Sequence, residues 1–254
     1  MKHSSHGADG LRASACDSAA ESVISGADML GVTVSYEQAC VLIGHLDLVL
    51  SANERQNLTR ITDRSTAVLS HIVDSLAAVS HLRGVPDGET IGDLGSGAGF
   101  PGIPLATVLP NPLILIESSR KKAAFLQEVC GSLGLAGRVR VYEGRAEELG
   151  TKSGASCGAV TARAVSSLAS LAELASPLLL NGGILVALKG SPEEAEFEAA
   201  ARVAHLVGLE EEIRHEYTLP VLQHARTIVV YRKVCESQVP LPRRTGLAQH
   251  RPLG

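Results

Sequence analysis

A cluster of four glycines constrains this chain more than any other feature of its sequence. The stretch IGDLGSGAGFPGIPLA, residues 91–106, places Gly95, Gly97, Gly99 and Gly102 within eight positions, with Asp93 just ahead. Every glycine loses much backbone freedom on folding, so such a cluster marks a turn where the backbone must approach something closely. A glycine-rich turn between the first strand and first helix of an α/β sheet is where nucleotide cofactors bind.

Short apolar runs alternate with helical patterns on both sides of this turn, which predicts a mostly parallel sheet covered by helices on both faces. The predicted strands are 89–94, 113–117, 138–144, 158–164 and 184–190. The predicted helices are 103–109, 119–133, 166–179 and 191–208. Two further alternating segments, 211–220 and 225–234, are expected to pair as antiparallel strands at the end of the sheet.

Four regions follow from changes in composition and periodicity. Residues 1–28 lack periodicity and are rich in Ser, Ala, Gly and His, which predicts a disordered tail. Residues 29–85 read as a helical subdomain, opened by a capping box in SYEQ, residues 35–38. Residues 86–235 hold the sheet, and residues 236–254 form a basic, proline-containing C-terminal tail.

Composition excludes several classes of protein. No apolar run approaches the ~20 residues that cross a bilayer, and the N-terminus lacks the apolar segment of a signal peptide. Five cysteines without a CxxC pair argue against a disulfide framework or a metal site. We therefore expect a cytoplasmic protein with no membrane segment and no metal.

The charge distribution leaves a nucleic-acid partner open. The net charge is -4, yet basic residues cluster at Arg120-Lys121-Lys122, Arg138/Arg140/Arg145, Arg232-Lys233 and Arg243-Arg244. Each cluster is either an ordinary solvated helix face or part of a local basic patch that meets phosphate.

The spacing of the glycines separates two cofactor classes. A dinucleotide fingerprint requires G-x-G-x-x-G, but Phe100 stands where its third glycine should be. The spacing here is G-x-G-x-G, which resembles motif I of S-adenosylmethionine-dependent methyltransferases. Glu117 ends the second predicted strand, where a carboxylate can bind both ribose hydroxyls in either class. A nicotinamide-dependent oxidoreductase and a glycine turn used only for packing remain as alternatives.

A set of ordered motifs makes the resemblance more specific. NLTRI, HIVDSL, DLGSGAGFPGIPLA, KKAAFLQEV, GRAEEL, TARAVSSL and LKG occur in this order. Together they resemble the glucose-inhibited division protein B family over roughly residues 35–235, and PRRTGLAQHRPL is similar to that family's C-terminal end. The resemblance implies a Rossmann-like class I methyltransferase fold with an N-terminal helical extension. It also implies S-adenosyl-L-methionine as cofactor and N7 of a guanine in bacterial 16S ribosomal RNA as the methylated atom.

The same resemblance implies which residues bind the cofactor. Gly95, Gly97 and Phe100 would lie at its methionyl and sulfonium side, and Glu117 at its ribose. Ala146 and Glu147 would flank the adenine, and Arg163 would close the site. The alternative for Glu147 is an acid at a helix start, which the helix dipole favours. The alternative for Arg163 is a surface ion pair.

No general base is expected, because N7 of guanine carries an in-plane lone pair and loses no proton before it attacks a methyl group. The chain also lacks the Asn/Asp-Pro-Pro-Tyr/Phe signature of amine methyltransferases and a cysteine arrangement for attack on a pyrimidine. We therefore assign no catalytic residue.

RNA contacts are expected from side chains near the ends of the predicted elements. The candidates are Lys189, Arg120, Lys121, Lys122, Asn57 and Arg60. Lys189 could equally be a surface lysine, Asn57 and Arg60 could be caps, and His71 with Asp74 could be a simple helical pair. With 3% aromatic residues, stacking partners such as Phe100 and Tyr36 are few, so we expect the base to be presented by a ribosomal particle. We also expect the protein to be a monomer. A non-catalytic ribosome-assembly module is a further alternative.

Overall fold

The computed structural model describes residues 6–254 as eleven α-helices, one π-helical turn, one 3-10 turn and seven strands. The N-terminal elements are α1 (His6–Asp28), α2 (Tyr36–Gln56), α3 (Arg64–Ala67), a π-helical turn (Val68–Val73), α4 (Asp74–Leu76) and α5 (Val79–Leu82). The elements of the sheet's first half are β1 (Thr90–Leu94), α6 (Gly102–Val108), β2 (Leu113–Glu117), α7 (Arg120–Ser132), β3 (Val139–Glu143), α8 (Ala146–Ser153) and β4 (Cys157–Arg163). The remaining elements are α9 (Leu168–Ala175), a 3-10 turn (Ser176–Leu178), β5 (Leu179–Lys189), α10 (Glu194–Leu206), β6 (Leu209–Leu219), β7 (His224–Lys233) and α11 (Leu247–His250).

The sheet has the strand order β3-β2-β1-β4-β5-β7-β6. The first five of these strands are parallel, and β7 pairs antiparallel with both β5 and β6. The predicted fold class is thus confirmed, including the antiparallel C-terminal pair. The strand order reverses between β1 and β4, which is where open α/β sheets bind their ligands.

Side chains that alternate along each strand divide the core into two layers. Ile91, Leu115 and Val186 pack into one cluster, whereas Ile116 and Leu185 pack into the other. The N-terminal helices, α6 and α7 cover the first face, and α8 to α11 cover the second. Because successive residues of a strand point to opposite faces, an apolar run in every central strand is what a sheet buried on both sides requires.

The N-terminal helices share the first core layer with the sheet. The predicted capping box is confirmed: the Ser35 side chain accepts from the amide of Gln38, and the Gln38 side chain accepts from the amide of Ser35 at 2.9 Å. Leu42 and Leu46 of α2 are fully buried in the same cluster as Ile103 and Leu115. The helical unit therefore has no separate core.

The prediction of a disordered tail over residues 1–28 is wrong for the part of that segment the structure describes. Helix α1 runs from His6 to Asp28 and packs on α2 and on the π-helical turn. Its contact residues are small, namely Ala19, Ala20, Val23 and Ala27, all of them buried. Their low hydrophobicity produces almost no amphipathic signal, which explains why periodicity missed the helix. Residues 1–5 lie outside the described residues.

Two differences concern the ends of predicted elements. Strand β5 begins at Leu179 rather than at 184, because the chain continues through Asn181-Gly182-Gly183 with a shift in its register to β4. Gly182 has φ +81°, a conformation that lets a strand bulge without steric cost. The predicted tail 236–254 folds back on the second layer, where Ala248 is buried. In residues 6–254 the structure shows no helix that combines the length and apolarity of a membrane span.

Candidate cofactor and RNA site

The glycine turn adopts a conformation that only glycine adopts without cost. Gly95, Gly97 and Gly99 have φ values of +64°, +57° and +97°. A Cβ atom on Gly95 would lie 2.8 Å from Val165, and one on Gly99 would lie 2.9 Å from Nε2 of His45. The sequence attributes the glycines to the close approach of a ligand, and the structure adds positive φ and close packing. Substitution of Gly95 would therefore strain the backbone as well as fill the site.

Asp93 supports this turn from the end of β1. Its buried carboxyl accepts from the amide of Gly102 at 3.2 Å and lies 3.4 Å from the hydroxyl of Thr161 on β4. Burial raises the pKa of Asp93 from 3.8 to about 7. Asp93 thus links the end of β1 to β4 and to the start of α6 through buried polar contacts.

Glu117 joins the glycine turn to the end of β2. One carboxylate oxygen accepts from the amide of Gly97 at 2.9 Å, and the other accepts from the amide of Ser119 at 2.7 Å. The side chain is buried, and its orientation is fixed by two backbone donors. A carboxylate held in this way beside a glycine turn is suited to accept hydrogen bonds from a ribose.

A cavity of about 40 Å³ lies at the carboxyl edge of the sheet between β1, β2 and β3. It is lined by Leu94, Gly95, Ile116, Ser118, Gly144, Arg145, Ala146, Glu147, Val165, Leu174 and Gln249. Three of the predicted cofactor residues, Gly95, Ala146 and Glu147, line this cavity. Glu117 stands in the chain between two further lining residues, Ile116 and Ser118. The Glu147 carboxylate is buried and accepts from the amide of Gly246 at 2.7 Å.

Phe100 and Arg163, which were also predicted at the cofactor, are not among the residues that line this cavity. The Phe100 ring is buried between His45 and His71, with centroid distances of 4.4 Å and 4.9 Å. The guanidinium of Arg163 lies 5.4 Å from the Phe100 centroid and forms an ion pair with Asp74 at 3.2 Å. These two side chains face the N-terminal helices, and their contact with a cofactor stays a prediction.

Asp74 is the centre of a buried polar network that the sequence did not reveal. Besides Arg163, its carboxylate accepts from Nε of Arg226 at 3.0 Å and from the hydroxyl of Tyr217 at 3.1 Å. In the alternative considered above, His71 pairs with Asp74, but both ring nitrogens have other partners: Nε2 lies 2.7 Å from the hydroxyl of Thr59 and Nδ1 lies 3.5 Å from Nη2 of Arg163. Burial, together with the nearby Arg163, lowers the pKa of His71 to about 4, so this ring is neutral at pH 7.

The backbone after Arg163 is also unusual. Ala164 has φ +56°, in the left-handed region that non-glycine residues rarely adopt. The next residue, Val165, packs against Gly95 and lines the cavity. Strain of this kind is commonly concentrated at functional sites, and a sequence pattern gives no sign of it.

The basic run Arg120-Lys121-Lys122 forms the first turn of α7, directly after the end of β2. Arg120 and Lys121 are exposed and Lys122 is half-buried. In the described residues none of the three forms an ion pair, and the turn contains no acid. Positive side chains at a helix N-terminus oppose the helix dipole, in contrast to the acidic first turn of α10. An anion bound at this edge of the sheet would offset that unfavourable arrangement.

The other predicted RNA residues differ in how free they are. Lys189, at the end of β5, forms a 2.8 Å ion pair with Glu196 and donates to the carbonyl of Ser166 at 2.9 Å. Asn57 is the C-cap of α2 with φ 49°, and its side chain is exposed, as is that of Arg60. The capping role of Asn57 is confirmed, whereas RNA contact by these residues stays a prediction.

Solved structures with a similar architecture include methyltransferases. Geranyl diphosphate methyltransferase in complex with SAM matches with a TM-score of 0.51 and 16% identity, covering 63% of this chain and 84% of that one. Cofactor-bound Rv0187 from MTB matches with a TM-score of 0.52 and 18% identity, covering 75% of this chain and 89% of that one. The fold is therefore that of a Rossmann-like methyltransferase.

Sequence comparison narrows this class to one family. The chain matches GidB, described as rRNA small subunit methyltransferase G, over residues 38–226. A Ribosomal RNA small subunit methyltransferase G from Deinococcus radiodurans is 42% identical over 234 residues, covering 90% of each chain. One from Pelotomaculum thermopropionicum is 38% identical over 241 residues, covering 92% of this chain and 98% of the relative. This chain belongs to the rRNA small subunit methyltransferase G family.

Proposed function

We propose that this protein transfers a methyl group from S-adenosylmethionine to N7 of a guanine in small-subunit ribosomal RNA. The main structural support for S-adenosylmethionine as the cofactor is the hydrogen bond from the amide of Gly97, in a G-x-G-x-G turn, to the Glu117 carboxylate. The substrate half is supported by membership of the family and by the names of its relatives.

The residues at the carboxyl edge fit this cofactor in their chemistry. Glu117 offers a carboxylate for two ribose hydroxyls, and Leu94, Ile116 and Leu174 provide apolar surface for an adenine ring. Gly95 and Gly97 leave the backbone open where a Cβ would intrude. The cavity of about 40 Å³ is smaller than the ~300–1,000 Å³ of a typical ligand pocket, so we propose that the site widens when the cofactor binds.

When bound, S-adenosylmethionine supplies an electrophilic methyl group. The chain's own residues hold the two partners in line and exclude water, since a guanine N7 lone pair needs no base. Orientation of this kind can contribute roughly 7–11 kcal/mol to the lowering of a barrier. Burial lowers the pKa of His45 and of His71 to about 4, so both rings beside Phe100 are neutral at pH 7.

Encounter with RNA would depend on the basic first turn of α7, which lies at the same edge of the sheet as Glu117. The exposed side chains of Arg120 and Lys121 are placed to meet phosphate, and such contacts weaken as salt rises. We further propose that the base is presented by a ribosomal particle in the cytoplasm, because few aromatic side chains are available to capture it unaided.

The test is methyl transfer in vitro from labelled S-adenosylmethionine to small ribosomal subunits and to naked rRNA of a strain lacking the protein. Digestion to nucleosides should give label in 7-methylguanosine, with subunits the better substrate. Label in another nucleoside would overturn the N7 assignment.

Titration calorimetry separates the competing functions. We expect binding of S-adenosylhomocysteine and no binding of NADH. Binding of NADH alone would support an oxidoreductase, and binding of RNA without either cofactor would support an assembly module.

A further inference from the structure

The last residues of the chain, 241–254, form a strap that crosses α8 and α9. The buried carboxylate of Glu173 on α9 anchors it at both ends. Arg243 donates to that carboxylate through Nε at 2.6 Å and Nη2 at 2.7 Å, and the amide of Leu253 donates at 3.0 Å. The Glu173 side chain is 2% exposed. A buried charge held by a bidentate arginine is costly to separate, so the strap is fixed at residues 243 and 253.

Between these anchors the strap lies on the candidate cofactor residues. The amide of Gly246 donates to Glu147 at 2.7 Å, and Nη1 of Arg145 donates to Oε1 of Gln249 at 3.1 Å. Gln249 lines the same cavity as Gly95 and Ala146. The strap therefore contributes a side chain to a cavity whose other walls come from β1, β2, the turn after β3, α8, the loop after β4 and α9.

The wall made by Arg145 and Gln249 lies on the solvent side of the cavity. Leu94 and Ile116 belong to the buried strands, whereas the lining residues Gly95, Ser118 and Arg145 are exposed and the Arg145–Gln249 bond faces solvent. Because the cavity of about 40 Å³ is smaller than a typical ligand pocket, displacement of this wall would enlarge the site for a nucleoside.

The side-chain amide of Gln249 combines an NH2 group that donates with an oxygen that accepts, and in this structure the oxygen accepts from Arg145. These groups match the exocyclic amine and N7 of adenine, which Gln binds as a bidentate pair. We propose that the strap is the outer wall of the cofactor site and that Gln249 is the residue that selects adenine. The inference rests on the proposed function, and it places the adenine between Ala146 and the strap.

The test compares two ligands on the full-length chain by calorimetry, namely S-adenosylhomocysteine and S-inosylhomocysteine. In the inosyl compound a carbonyl replaces the exocyclic amine, so one of the two bonds to Gln249 is lost. We expect Gln249→Leu to weaken the binding of the adenosyl compound by about five- to a hundred-fold. The ratio of its affinity to that of the inosyl compound should fall as well. Gln238→Leu is the matched control outside the strap and should leave both affinities unchanged.

The full-length Glu173→Gln/Arg243→Leu chain tests the delivery of Gln249 by the strap. It should lose affinity and base preference at least as much as Gln249→Leu. Unchanged affinity and preference in Gln249→Leu would overturn this inference while leaving the cofactor assignment intact. Failure of the unaltered chain to bind S-adenosylhomocysteine would overturn both.

Discussion

The buried carboxyl of Asp93 makes the stability of this protein depend on pH in a defined direction. Its oxygens face the amide of Gly102 and the hydroxyl of Thr161. An asparagine fits the same contacts, because its oxygen can accept from Gly102 and its amide can donate to Thr161. Asp93→Asn therefore mimics the protonated acid and removes the charge.

The sign follows from the pKa, which rises from 3.8 in the unfolded chain to about 7 in the folded one. Stability from this group is fully present below the unfolded pKa and is lost as pH rises through the folded pKa. A rise of the pKa from 3.8 to about 7 corresponds to about 4 kcal/mol of stability, of which about 2–3 kcal/mol is lost between about pH 5 and about pH 8.

Urea unfolding followed by circular dichroism at these two pH values measures the effect. We expect the free energy of unfolding of Asp93→Asn, minus that of the unaltered protein, to increase by about 2–3 kcal/mol from the lower to the higher pH. Taking the difference between variants cancels the other titrating groups, provided that the m-values agree.

Equal pH dependence in the two proteins would show that the carboxyl is solvated or ionised in the folded state. A difference that shrinks with rising pH would mean that its pKa is lowered, not raised. Either result would refute the conclusion that burial raises the pKa of Asp93.

Three further outcomes test the site. Glu117→Ala should weaken the binding of S-adenosylhomocysteine by about ten-fold or more in calorimetry, since hydrogen bonds to a charge are lost. Substitution of the exposed Glu128 by Ala should leave this affinity unchanged. Arg163→Ala should lower the free energy of unfolding by about 2–4 kcal/mol in urea, because a buried ion pair is broken while a second arginine still neutralises its partner; an unchanged midpoint would contradict this. Replacing Arg120 and Lys121 by Ala should make the negative slope of log affinity for RNA against log salt less steep by about 1–2, and an unchanged slope would exclude them from the interface.

The sheet could be predicted because its signals are local. Strand β2 has the predicted bounds 113–117, and the glycine turn follows β1 as expected. An apolar run bounded by turn residues is sufficient to mark a strand that is buried on both faces. Helix α1 gave no such signal, because it buries alanines instead of large side chains.

The contacts of the candidate site likewise fall into those that the sequence pattern predicts and those that it does not. Contacts made between the ends of adjacent strands, such as Glu117 with Gly97, follow from the strand–turn–helix pattern. Contacts between distant segments do not, and they include Arg226 with Asp74 and Arg243 with Glu173. A single sequence contains no spacing rule for pairs that lie 152 or 70 positions apart. Arg163 was expected in the site because of the family resemblance of TARAVSSL, but its ion pair with Asp74 of the N-terminal helices required the structure.

The most direct test of the proposed function is to map 7-methylguanine in small-subunit rRNA from strains with and without the protein. N7 methylation labilises the glycosidic bond, so borohydride reduction and aniline cleave the chain at that base, and primer extension reads the break. We expect one break that is present in the parent strain, absent after deletion and restored by the unaltered gene, but not by the Glu117→Ala variant. An identical cleavage pattern in the parent and the deletion strain would contradict the assignment of guanine N7 in this RNA as the methylated atom.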